Sequence, residues 1–173
     1  ADRWVQALNA MLPKDIAVLS AEPVRENFHA RYDAKGKTYK YEIQLSKTRN
    51  PLMRHYAYHY PYSIDKVRIE KAITYAIGTH DFSSFCAANT DVKDKVRTIH
   101  SIDCEISGDL LTLTYTGNGF LYNMVRILTG TLIEIGTGRR EPEEMEQIIA
   151  ACDRSKAGKT APPQGLYLQK VFY

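Results

Sequence analysis

The sequence predicts an α+β domain, a mixed and largely antiparallel sheet with helices packed mainly on one face. Three observations predict it. Residues 37–45 alternate, with Tyr39, Tyr41, Ile43 and Leu45 on one face and Thr38, Lys40, Glu42 and Gln44 on the other, the period of a half-buried strand. Two more strand-like runs, 96–106 and 110–116, flank Ser107-Gly108-Asp109 and make a hairpin. The second run leads into 117–130, GNGFLYNMVRILTG, where two glycines and an asparagine punctuate the strand end and an amphipathic helix follows at once. The 173 residues suffice for one domain with a proper core and are few for two.

The elements follow in chain order. Residues 2–11 have helical spacing, with Trp4, Val5, Leu8 and Met11 on one side, and Leu12-Pro13-Lys14-Asp15 breaks the helix. Ile16-Ala17-Val18-Leu19 is expected as a short strand. A connector over 23–32 holds Phe28-His29-Ala30-Arg31, and the strand at 37–45 comes next. Aromatic density over 51–61, with His55-Tyr56-Ala57-Tyr58-His59-Tyr60, favours another strand. There His55 and His59 would lie roughly 13 Å apart, too far for two metal–nitrogen bonds of about 2 Å, so no metal site is expected. Ser63 is expected to cap a helix that runs to about Ile77 and stops at Gly78, burying Ile69, Ala72, Ile73, Ala76 and Ile77.

Residues 79–86 form a compact turn anchored by Phe82 and Phe85, in which Asp81 is assigned to capping rather than to acid–base work with His80. A polar connector over 87–95 precedes the hairpin. The helix after it commits Phe120, Met124, Ile127, Leu128 and Ile135 to a core, widened by Leu121, Val125 and Leu132, and ends at 136–138. Pro142 opens the last helix, with Met145, Ile148, Ile149 and Cys152 facing inward. An extended turn over 159–164 and a closing strand over 165–173 complete about five or six strands and four helices.

Composition bounds the function loosely. Hydrophobic and charged fractions of 44% and 25% are ordinary, and a net charge of +3 permits a nucleic-acid partner without arguing for one. The distribution says more: residues 31–54 carry seven basic side chains against two acidic ones, an excess of five. That excess suits a solubilising strand face as well as a phosphate-binding one. Cys86, Cys104 and Cys152 are odd in number and widely spaced, the pattern of reduced, mostly buried thiols in a cytosolic protein. There is no apolar run of membrane-span length, no zinc spacing and no phosphate-cradling glycine loop, and no signal peptide is expected. The chain opens without Met in a helix already under way, so a fragment is expected.

Arg126 is the residue that asks for a reason, because it interrupts an otherwise apolar helix beside Tyr122, with Gly130 one turn on. The ordinary reason is a solvated far face. The sharper one is that its planar fork is held to meet a carboxylate or phosphate.

Three strings taken together resemble the C-terminal domain of the TruA family of tRNA pseudouridine synthases. They are Phe28-His29-Ala30-Arg31 before Lys37-Thr38-Tyr39-Lys40-Tyr41, FLYNMVR at 120–126, and GLYL at 165–168, with support from LPKDIAV at 12–18 and HDFSSF at 80–85. The resemblance covers essentially the whole chain as one domain. It implies the C-terminal half of the pseudouridine synthase fold and isomerisation of uridine in the anticodon stem-loop of tRNA, the base being detached and rejoined through C5. No cofactor or metal is implied. It also implies a cytoplasmic homodimer with tRNA bound across both subunits.

Residue by residue, the resemblance gives Tyr39 as the active-site tyrosine that stacks on the target base and is a candidate for proton transfer at C5. Arg126 matches the arginine paired with the catalytic aspartate, and Leu166 the apolar lining of the uridine pocket. Tyr41, Lys37 and Arg31 join the expected substrate-binding set. The physics is compatible: stacking on an aromatic ring is worth roughly 1–3 kcal/mol per base, and a flipped nucleotide needs such a platform. The family's catalytic aspartate sits in an upstream string like GRTDAG, which does not occur here. None of Asp2, Asp15, Asp33, Asp65, Asp81, Asp91, Asp94, Asp103, Asp109 or Asp153 has that setting, so this chain alone is expected to be inactive.

Two other classes fit the residues alone. One is a non-catalytic RNA-binding α/β module, in which the Tyr39/Tyr41 strand stacks bases while Lys37, Lys40, Arg49 and Arg54 hold phosphates. The other is a metabolic domain with a small-molecule pocket near Leu166.

Overall fold

A computed structural model describes residues 2–88, 90 and 92–173; Ala1 and, within the polar connector, Asn89 and Asp91 lie outside the described residues. The chain divides into two compact units, Ala1–Asp33 and Ala34–Tyr173.

The first unit holds helix α1 (Asp2–Met11), which leaves Trp4 and Met11 exposed. The strand expected at 16–19 does not form. The Asn9 side chain bonds both the N–H and the carbonyl of Val18, at 2.7 and 2.8 Å, so an amide side chain takes the place of a strand partner. The Phe28–Arg31 string is a turn organised by His29 and Asp33. The His29 ring nitrogen Nδ1 accepts from the backbone N–H groups of Arg31 and Tyr32, and the Asp33 carboxylate accepts from the His29 N–H at 2.8 Å and pairs with Arg25 at 2.9 Å. Those donors, the His29 N–H first, hold the Asp33 carboxyl below its ordinary range.

The second unit is a six-stranded sheet covered by helices. Strand β1 (Gly36–Gln44) pairs antiparallel with β5 (Leu110–Gly117) along one edge. Its other edge takes β6 (Leu166–Phe172) antiparallel and then a two-residue parallel strand, β2 (Tyr58–His59). Strands β4 (Val96–Ser107) and β3 (Gly78–Asp81) extend the sheet beyond β5, both antiparallel. The expected hairpin and closing strand are present.

The alternation along β1 and β5 sorts their side chains. Tyr41, Ile43, Leu111, Leu113 and Tyr115 are fully buried under the helices. The opposite face carries Thr38 bonded to Thr116 at 3.0 Å, and Lys40 bonded to Glu42 at 2.6 Å.

Helix α2 (Lys66–Ala76) is capped by Asp65, whose carboxylate accepts from the N–H groups of Val67 and Arg68, and not by Ser63. It buries Ile69, Ala72, Ile73 and Ala76, while Ile77 falls past its end and is exposed. What was expected as one turn at 79–86 is β3 followed by a 3-10 turn at Ser83–Phe85. Phe82 and Phe85 are fully buried as expected, and Asp81 accepts from the Ser83 N–H, a turn role. The strand expected over 51–61 shrinks to β2, because β6 already occupies the edge of β1 as far as Tyr41. A 3-10 turn at Pro51–Met53 takes up the rest. In helix α4 (Glu144–Ala151), Met145, Ile148 and Ile149 face inward, but Cys152 sits in the left-handed C-cap and is exposed. Among the described residues no helix is long and apolar enough to cross a membrane.

Helix α3 (Met124–Gly136) starts later than the sequence suggests and is buried almost all round. A helix apolar on every side needs cover on every side. The sheet and α2 cover one side; the segment 157–162 covers the other.

Candidate active site

The site is built where that covering segment crosses α3. Gly130 permits the crossing, since a Cβ there would stand 1.7 Å from the Lys159 carbonyl oxygen. Around it the segment is fastened by hydrogen bonds. The Gly158 N–H reaches Thr131 Oγ1 at 2.9 Å, the Lys159 N–H reaches Glu134 Oε1 at 3.2 Å, and the Ala161 N–H reaches the Arg126 carbonyl at 3.0 Å. The Tyr41 hydroxyl donates to the Pro162 carbonyl at 2.5 Å from inside the core.

Arg126 is therefore not on a solvated face. Its Nε donates to the Ala161 carbonyl at 2.7 Å and its Nη1 to Asn123 Oδ1 at 2.9 Å, both neutral acceptors. Asn123 itself sits at φ 60°, ψ 8°, the left-handed conformation that asparagine tolerates better than most residues. Its backbone carbonyl accepts from the Ile127 N–H at 2.9 Å, so one residue both starts the helix and braces the arginine. Among the described residues Arg126 has no carboxylate partner.

The covering segment then turns through Pro163–Gly165 into β6. Gly165 is needed there because a Cβ would lie 2.6 Å from the Glu42 carbonyl oxygen and 2.8 Å from the Tyr41 ring. This close approach sets Leu166 opposite Tyr41 in the ladder, with Leu168 opposite Tyr39. Tyr39 meets Phe120 edge to face, with ring centroids 5.3 Å apart at 86°, the favoured aromatic geometry. Tyr39, Phe120, Asn123, Arg126 and Leu166 converge on one cleft of about 320 Å³. Burial pushes the Tyr39 phenol above its ordinary value, which favours a neutral ring.

The model of the tRNA pseudouridine synthase family matches residues 72–173. Over 173 residues the chain is 54% identical to tRNA pseudouridine synthase A of Lysinibacillus sphaericus, covering 99% of this chain and 70% of that protein. It is 50% identical to the protein of the same name from Bacillus subtilis, covering all of this chain and 70% of the relative. For the Geobacillus protein the identity is 49%, over 99% of this chain and 69% of the relative. The chain belongs to the tRNA pseudouridine synthases. That family is one of isomerases, so the enzyme class of the full-length protein follows with it.

Against this family the expected site residues fall in four places. Tyr39, Arg126 and Leu166, far apart in sequence, line the same cleft. Tyr41 does not: it is fully buried, its phenol pushed up by burial, and it holds the covering segment from behind, so it offers no face to a base. Lys37 lies two residues before Tyr39 on β1, outside the cleft lining. Arg31 belongs to the first unit, where its guanidinium lies 5.9 Å from the Tyr32 ring centroid. Lys40, offered above as a phosphate ligand, is occupied by Glu42 and by the Tyr167 ring, 4.8 Å away.

Sequence reasoning missed Phe120 as an aromatic wall and Asn123 as a brace. The signal for Asn123 was the Asn at a helix start, three residues before the arginine. No carboxylate of the Ala34–Tyr173 unit lines the cleft among the described residues. Asp65, Asp81, Asp94 and Asp153 are spent on backbone N–H groups.

Proposed function

We propose that this chain forms the base-holding and charge-orienting wall of a tRNA pseudouridine synthase active site. The observation that carries it is Arg126. Its guanidinium is fixed by two neutral acceptors beside a cleft that also holds Tyr39 and Leu166 and, among the described residues, contains no carboxylate. A cation so placed suits a carboxylate brought from elsewhere, which it keeps ionised and aimed. In the reaction the uridine glycosidic bond breaks, the base turns, and C5 bonds to the ribose carbon as the C5 proton leaves.

Tyr39 stacks on the extruded base. The upward displacement of its phenol argues for platform and against phenolate base. Leu166 excludes water from the glycosidic centre. The nucleophilic aspartate is supplied by residues outside these 173, and the chain alone is inactive. Positioned acid–base help is worth only about 10²–10⁴-fold and does not replace a nucleophile. The substrate is a uridine of the tRNA anticodon stem-loop, and the working form is a cytoplasmic homodimer.

The test is tritium release from tRNA labelled at uridine C5, with this chain and with the native gene product in parallel. Release by the native product and none by the 173-residue chain is expected. Release by the chain alone would overturn the external nucleophile, and silence from both would favour a non-catalytic RNA-binding module.

A further inference from the structure

A second cavity, of about 360 Å³, opens beyond the end of β1 and is unused by the chemistry above. Its lining includes Gln44, Arg49, Asn50, Arg54, His59 and Gln164 and, among the described residues, no acidic side chain. The loop that forms it is built. Gln44 is buried, and its Oε1 accepts from the Asn50 N–H at 3.3 Å. Asn50 caps the Pro51–Met53 turn through the Leu52 N–H at 3.0 Å, and the Ala57 N–H closes on the Met53 carbonyl at 2.9 Å. The Tyr167 hydroxyl of β6 pins the Tyr56 carbonyl. His59 is turned to the Ser46 carbonyl at 2.8 Å, and Arg54 Nε donates to the His55 ring at 2.9 Å. Neither Arg49 nor Arg54 makes an ion pair among the described residues.

Cations gathered round a preformed concavity without a countercharge leave positive potential for an anionic partner. Their position says which one. Gln44 lies five residues beyond Tyr39 on β1, roughly 17 Å along an extended strand. Gln164 precedes the cleft residue Leu166 by two. A polyanion whose base enters the cleft therefore brings further phosphates within reach of this cavity. We propose that the cavity is a phosphate subsite for the RNA backbone, with Arg49 and Arg54 as its ligands. This rests on the tRNA reading above and deepens it.

The experiment titrates the native gene product with an unmodified tRNA transcript between roughly 50 and 200 mM salt, comparing Arg49→Ala and Arg54→Ala with the parent. Each lost phosphate contact lowers the slope of log affinity against log salt by about 0.7–0.9, so the fourfold rise in salt weakens each variant about threefold less than the parent. KM for tRNA rises while kcat holds. Because Arg54 also bonds His55, Arg49→Ala decides if Arg54→Ala disturbs the loop, with thermal unfolding as the control. Unchanged slopes overturn the subsite. Unchanged slopes with a shifted monomer–dimer equilibrium overturn it too, assigning the cavity to a protein contact. A parent that binds tRNA with altered slopes in the variants but never releases C5 tritium would sink the synthase reading and leave the subsite standing.

Discussion

Arg126 and the pair Arg49/Arg54 are the same residue type held in opposite ways. Arg126 is half-buried on a rigid helix, and two neutral acceptors fix its plane, one of them from a segment that only a glycine lets approach. Arg49 and Arg54 stand on a loop, with a single side-chain bond between Arg54 and its sequence neighbour. A charge that must meet one group in one geometry is worth the ordering, whereas a charge that meets a moving phosphate chain is not. The difference predicts where kinetic effects fall: on kcat for the first and on binding for the second.

The largest effect should come from Arg126→Ala in the native gene product. Removing a preorganised electrostatic group costs about 10²–10³-fold in kcat, with tRNA affinity little changed. If the loss fell on KM alone, Arg126 would be a phosphate ligand like the other two and the contrast would collapse.

Next is Gly130→Ala, which acts on the scaffold of only one of these regions. The added methyl meets a backbone oxygen that five hydrogen bonds across 158–162 hold in place. Overpacking of this kind costs about 1–3 kcal/mol, or roughly 2–4 °C of melting temperature per kcal/mol at this size. A calorimetric scan of the 173-residue chain checks it. An unchanged melting temperature would mean that the covering segment yields, and that Arg126 is less rigidly held than its bonds imply.

Asn123 separates the bracing of the arginine from the stability of the helix start. Asn123→Gly keeps the left-handed backbone and deletes the acceptor, so roughly tenfold in kcat, about 1.4 kcal/mol, should be lost with little change in melting temperature. Asn123→Ala adds about 1–2 kcal/mol of backbone strain and should lower both. Equal kcat in the parent and the Gly variant would reduce Asn123 to a helix start.

How far the sequence revealed this contrast depended on whether the partner of each residue was local. Strand alternation from Tyr39 to Ile43, the hairpin about Gly108 and the apolar α3 depend on neighbours a few residues away, and they were legible. The cover over Arg126 comes from Ala161, 35 residues on, and only the odd glycine at 130 hinted at it. Tyr41 looked like a second stacking ring because alternation gives the face but not what lies above it; Gly165 and Pro162 lie there. At Ile16–Leu19 the local pattern suggested a strand, and a side chain nine residues back, Asn9, took its backbone bonds. Ser63 and Asp65 are both good caps two positions apart, and propensity alone does not rank them.

The smallest effect concerns Tyr39, which lines the same cleft as Arg126. Burial raises its phenol in the folded state, while the unfolded chain releases that proton near the ordinary value of 10.0. Below about pH 10 both states hold the proton and nothing is lost. As pH climbs past it, the unfolded state ionises first and stability declines through the folded value. Tyr39→Phe should match the parent in denaturant unfolding below pH 10 and decline less steeply above it. In the native gene product the same variant should keep the shape of the pH–rate profile, because a stacked neutral ring titrates out of neither. A rate that rises toward pH 10 in the parent and is flat in the Phe variant would make Tyr39 a proton acceptor. The cleft would then hold a base as well as a platform.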